Sequence, residues 1–208
     1  MKKNFLLLIT LITVLHASTF AQKARFGIQA GPTMSNVVIK GMGEQETSDM
    51  KAGFTAGILV DKPINAHFIF QPAVNFVQKG QSANDYGYTS STTLNYVEIP
   101  LNFLYRAEAS KGFFAGAGPS IGIGINGKTK DGSEKYDIKF GNDEDKDDLK
   151  RMDFGANLVA GYLFGNGLQI AANFNKSFSN LVIGEAASDV TVKNNYFSVR
   201  VGYFFNSK

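Results

Sequence analysis

Eight stretches of the chain alternate between apolar residues and polar or small ones. In Asn95–Arg106, the residues Val97, Ile99, Leu101, Phe103 and Tyr105 are apolar, while Glu98, Pro100, Asn102 and Arg106 fall between them. A period of two is the mark of a strand whose faces meet different surroundings. The same rhythm runs through Phe26–Met34, Phe54–Val60, Phe68–Phe76, Phe113–Ile125, Phe154–Tyr162, Leu168–Phe174 and Phe197–Phe205. The opposite faces carry residues such as Arg25, Gln29, Gln71, Asn75, Asp153, Asn157, Asn173 and Arg200, with glycines at 116, 118, 122 and 124. Eight amphipathic strands of about ten residues predict an all-β fold, an antiparallel up-and-down sheet closed into a barrel.

The connections sort by length. "DKPIN", "AEASK" and "GNG" are short, whereas residues 36–50, 80–93, 126–150 and 179–194 form four long connections. Strict alternation puts all the long loops at one end and both termini at the other. Long outer loops with short periplasmic turns are the pattern of outer-membrane barrels, so both termini are expected in the periplasm. Proline is usually kept out of central strands. Bulges or early strand ends are therefore expected at Pro32, Pro72, Pro100 and Pro119.

Alternation alone does not say which face meets water. A soluble barrel of the lipocalin kind, binding an apolar ligand, has its apolar residues inside. A transmembrane barrel has them outside, around a lumen that can be polar. The polar faces here pair glycines with long charged side chains, which suits a lumen barely wide enough for side chains to fill. The apolar rows end in aromatics, with Tyr105, Tyr162 and Tyr203 near the short turns, where amphipathic rings favour the membrane interface. Glu98 is therefore expected to point inward. There it requires cations, and Arg25, Arg106 and Arg200 share its parity; Asp153 completes the expected lumen network. Its expected role is structural. The filled lumen leaves a narrow channel as a further alternative to a scaffold and argues against a general diffusion pore.

Composition and charge add an address. Met1-Lys2-Lys3, the apolar run Phe5–Leu15 and "STFAQ" have the three parts of an export signal, with cleavage expected between Ala21 and Gln22. The apolar run is too short to span a bilayer. The expected organisation is thus a leader over residues 1–21 and a barrel domain over residues 22–208. Removing Lys2 and Lys3 leaves 19 of the 21 basic residues against 18 acidic ones, so the mature chain is nearly neutral and nucleic acid is not an expected partner. There is no cysteine, as befits an exported chain that does without disulfides.

"YVEIPLNFLY" (96–105), "GFFAGAGPSIGIGI" (112–125) and the early "FGIQAGPTMSNV" resemble the PorT-like outer-membrane β-barrel family of Gram-negative bacteria. The resemblance covers essentially all of the chain after the leader. It implies an integral eight-stranded barrel among outer-membrane lipid and lipopolysaccharide. Because the family's namesake is tied to type IX secretion, it also brings envelope or secretion proteins into view as partners.

Chemistry-bearing motifs are sparse. His67 is the one histidine outside the leader and lies at the short-turn end, away from the outer rim where a hydrolase of this architecture would need its base. No nucleophile–base arrangement is visible, so no catalytic residue and no cofactor is expected. Asp143, Asp145 and Asp147 resemble the start of a calcium loop, but Asp148 and Phe154 stand where the loop's Gly and Glu belong. A solvated acidic tip, with no metal site, is the expectation.

Overall fold

The computed structural model describes residues 24–205 apart from Met42, Tyr86, Gly87 and Ala109. The expected leader with its Ala21–Gln22 junction and the last three residues lie outside the described residues. Eight long strands follow one another: β1 (Arg25–Gly41), β2 (Lys51–Pro63), β3 (Phe68–Asp85), β4 (Tyr88–Arg106), β5 (Gly112–Asp131), β6 (Met152–Leu163), β7 (Leu168–Ser177) and β8 (Val190–Phe204). Each pairs antiparallel with the next, and β8 returns to β1 with Gly27 opposite Phe204 and Met34 opposite Phe197. The ring is closed, so no strand edge is left unpaired around it.

The barrel is apolar outside and polar inside. Ile58, Leu158 and Val201 are each more than half exposed, at 60, 55 and 52 %. Thr33, Asn75, Asn157 and Ser198 are buried to 1 % or less. A soluble monomer does not sustain an apolar belt around its whole circumference. In a bilayer the same belt is the lipid-facing surface. Each outward row spans about five positions, roughly 20 Å of membrane once the strands are tilted. One end of the belt is edged by Phe68, Tyr105, Phe113, Tyr162, Tyr203 and Phe205, several of them in ring contact. At the other end a polar ladder closes it: Gln78 Nε2 donates to Asn95 Oδ1 (3.1 Å) and Asn95 Nδ2 to Asn126 Oδ1 (2.7 Å).

Beyond that ladder the strands continue. Residues 80–93, expected as a loop, are mostly the upper halves of β3 and β4, paired down to Asp85–Tyr88. Residues 126–131 extend β5, and a turn with Gly132 at φ +58° leads into Glu134–Ile138, which folds back on it. Thr and Ser on both faces of these segments hide the extension, because water on both sides removes the apolar period while backbone pairing persists.

The prolines did not end or bulge their strands. Alongside each, two residue pairs drop out of one ladder and the register then resumes unchanged, as where Ala30–Val201 is followed by Thr33–Ser198 around Pro32. Closure of the ring carries the strand across the missing donor. The shift in β4–β5 register lies elsewhere, at Asn95/Tyr96 opposite Gly124 and Asn126, leaving Ile125 as the extra residue of a bulge.

Candidate functional site

The lumen is built in three tiers. At the short-turn end, β2 delivers Asp61 and β4 delivers Arg106, both fully buried. Asp61 Oδ2 accepts from Arg106 Nη1 at 2.7 Å and from Arg25 Nη2 at 2.8 Å, while Asp61 Oδ1 accepts from Gln71 Nε2 at 2.7 Å. Leu59, Ile69, Leu104, Phe114, Leu163 and Phe204 pack around this pair, and the two guanidiniums lie over the rings of Phe114 and Phe204. The polar interior expected from the glycine-rich faces therefore gives way here to an apolar cork. Inward-pointing Leu, Ile and Phe seal this end and exclude water from the ion pairs, which strengthens them.

The middle tier is neutral. Gln29 donates to Asn75, Asn157 to Asn102 and Asn175 to Ser120, at 2.7–3.0 Å. Amides and hydroxyls pair with one another here without introducing charge into a space with little water.

The third tier holds Lys79, Glu98, Asp153 and Arg200, all buried to within 3 %. Lys79 Nζ sits 3.0 Å from Glu98 Oε2 and 3.3 Å from Asp153 Oδ2, between the rings of Tyr96 and Tyr196. The Tyr196 hydroxyl donates to Glu98 Oε1 and accepts from Arg200 Nη2, and Ser177 Oγ donates to Asp153 Oδ1. Two cations and two carboxylates thus balance, and every carboxylate oxygen is engaged. Gly122 leaves the room: a Cβ there would stand 3.3 Å from the Asp153 side chain and 3.4 Å from the Tyr96 ring.

All five residues singled out in the sequence face inward, but in two groups. Arg25 and Arg106 meet Asp61; Glu98, Asp153 and Arg200 gather around Lys79. Glu98 takes a lysine as its ion-pair partner where arginines were expected, and Arg200 is linked to it through Tyr196. Lys79 and Asp61 were missed, although each continues the inward parity of its strand by one or two steps beyond the last apolar residue.

Asp61 keeps Arg106 and Gln71 when Arg25 is removed. Arg25→Ala is therefore expected to cost only about 1 kcal/mol, read from chemical unfolding in lipid vesicles.

The two other motifs are held by local contacts. The His67 ring stacks on Tyr105, and Nδ1 lies against the carbonyls of Arg106 and Ala107. In the acidic loop, Asp143 and Asp147 accept from loop amides and Asp143 pairs with Lys146. No metal-binding cluster is found among the described residues.

Comparison with solved structures gives likenesses at low identity. The attachment invasion locus protein Ail of Yersinia pestis is 16 % identical, with 88 % of this chain and 100 % of that chain covered and a TM-score of 0.47. Neisserial surface protein A is 14 % identical over the same shares, with a TM-score of 0.46. The N-terminal β-barrel domain of Pseudomonas aeruginosa OprF is 9 % identical, again over those shares, with a TM-score of 0.33. No curated protein matches the chain. The family model for the outer membrane protein beta-barrel domain matches residues 20–183. With its closed eight-stranded ring and lipid-facing belt, the chain belongs to the outer-membrane β-barrel domain family and is an integral outer-membrane protein.

Proposed function

We propose that this barrel is a non-conducting, non-enzymatic scaffold that holds outer β-ribbons above the membrane for binding, envelope anchoring or assistance to secretion. The observation that carries this reading is the asymmetry of the strands. At one end they finish within a turn of the apolar belt; at the other β3, β4 and β5 run on to Asp85, Tyr88 and Asp131 with polar residues on both faces. The three tiers of lumen side chains support the absence of a pore. A soluble carrier would need the opposite sidedness. The Glu-Ile-Pro and Gly-Pro strands favour a PorT-like member of the family, and lipopolysaccharide is then the immediate neighbour of the ribbons.

The short-turn end and both termini lie in the periplasm in this reading. An epitope tag inserted at 132–133 is expected to bind antibody on intact cells. One inserted at 165–167 is expected to do so only after the outer membrane is permeabilised. The reverse pattern overturns the orientation, and reproducible conductance steps of the purified protein in planar bilayers overturn the closed lumen.

A further inference from the structure

The outer mouth of the barrel is lined by apolar residues in a place where nothing requires them. Above the Lys79 tier, Val37 on β1, Leu94 on β4 and Val192 on β8 keep their inward parity. They lie past the polar ladder of Gln78, Asn95 and Asn126, and so outside the lipid belt. Ile138, Leu149 and Leu181 from the two neighbouring loops complete the wall. Ile138 and Leu149 pack on one side against the cluster of Leu94, Tyr96 and Phe140, yet the wall as a whole does not close. It surrounds a cavity of about 260 Å³.

The walls are fixed in place. Asn180 donates to the carbonyls of Ala187 and Val190 and accepts from the amides of Val182 and Val192. Lys150 N donates to Leu181 O and Leu181 N to Val192 O, clipping both loops to β8. The fully buried Leu181 is thereby held in the wall, which makes the cavity preformed.

Its polar lining is Gln81, Thr92, Asn194 and Asp148, and the Thr92 hydroxyl is already paired with that of Thr129. Asn194, fully buried, lines the cavity beside the Tyr96 hydroxyl, and one contact to that hydroxyl leaves part of its amide's donor and acceptor capacity open. A buried amide with open donor and acceptor capacity is costly unless a ligand or water completes it. At the exposed rim stands the carboxylate of Asp148, which accepts from Lys139 N.

We propose that this cavity is a binding site for a small, largely apolar molecule of about 10–15 non-hydrogen atoms that is neutral or cationic and carries one hydrogen-bonding group. The apolar body fills the space between Val37, Leu94, Leu181 and Val192, and its polar group meets Asn194. Asp148 disfavours an anion. A ligand of this size in such a pocket binds with a dissociation constant on the order of 10 µM. The site goes beyond the scaffold reading and does not depend on it.

The test uses the full barrel in detergent micelles with isotopically labelled Ile, Leu and Val methyl groups. Indole, tryptamine and indole-3-acetate share one apolar body and differ in charge. Indole and tryptamine are expected to shift the methyls of Leu94, Leu181 and Val192 saturably, with indole-3-acetate at least tenfold weaker. The lipid-facing methyls of Ile58 and Val201 report partition into the micelle. Val192→Phe fills the cavity and is expected to abolish saturable binding while the unboiled protein still migrates as a folded band. If that variant does not fold, Leu149→Phe takes its place. Shifts confined to Ile58 and Val201, unchanged binding in a folded filled variant, or tightest binding of the anion would overturn the site.

Discussion

Replacing Lys79 by methionine is expected to lower the unfolding free energy by about 3–5 kcal/mol. Methionine reproduces the unbranched four-atom stem of lysine and keeps an apolar, polarisable chain beside Tyr96 and Tyr196. What it removes is the one ammonium lying within 3.3 Å of two carboxylates. Glu98 and Asp153 are buried to 1 and 3 %, so neither turns to water for compensation. The cost comes chiefly from this stranded charge and only secondarily from the lost attraction. A second comparison separates the two. Adding Asp153→Asn to the Lys79→Met background leaves Glu98 balanced by Arg200 through the Tyr196 hydroxyl, so no charge is stranded, and is expected to restore most of the stability. The chain has no tryptophan, so the measurement is the fraction migrating as folded barrel on an unboiled gel after equilibration in urea with lipid vesicles. Equal midpoints for Lys79→Met and the parent would show that the tier is held by its tyrosines and serine.

The contrast with Arg25→Ala follows from the arithmetic of partners. Asp61 has two guanidiniums and an amide, so losing Arg25 leaves a carboxylate still paired. Lys79 serves two carboxylates alone, apart from the hydroxyls of Tyr196 and Ser177. Redundancy sets the size of each effect more than distance does.

What the sequence discloses and what it hides divide along one physical line. Where lipid lies on one side of a strand and the lumen on the other, the environments differ sharply and the period-two pattern is plain. Asn95–Arg106 is read correctly from Val97 to Tyr105, and Glu98 turns inward as its parity requires. Where water lies on both sides, as from Ser90 to Thr93 and Lys128 to Lys130, strand and loop have the same composition and the ribbons are read as loops. Lys79 was hidden for a related reason. The outward apolar row of β3 ends at Phe76 and the period-two pattern stops with it, although Val77 and Lys79 keep the inward parity. Asp61 sits in a motif, "DKPIN", that reads as a turn, yet β2 holds its pairing through Pro63 opposite Ile69. Pro32, Pro72, Pro100 and Pro119 misled in the other direction. Neighbouring ladders on both sides of a closed ring hold a strand in register past a missing donor, which an open sheet edge would not do. The apolar cork and the apolar outer mouth were legible only as parity: Leu59, Leu104 and Leu94 stand on faces otherwise polar.

Replacing Val199 by arginine tests the sidedness itself, because the two candidate surroundings give effects of opposite sign. Val199 faces outward at the middle of β8, between Phe197 and Val201, and is 41 % exposed. If that surface meets hydrocarbon, an arginine there is expected to cost about 2–4 kcal/mol, measured by urea unfolding in lipid vesicles. The cost should fall toward the interface, so Tyr203→Arg at the aromatic edge is expected to cost no more than about 1 kcal/mol. If the same surface met water, an arginine at Val199 would be neutral or mildly stabilising, since it would cover an exposed apolar patch with a solvated chain. No depth dependence would then separate Val199 from Tyr203. The pair of variants thus reads the bilayer directly: a steep difference between positions four residues apart on one strand requires a solvent whose polarity changes over that height. Side-chain packing alone does not supply it, because both residues project away from the barrel wall.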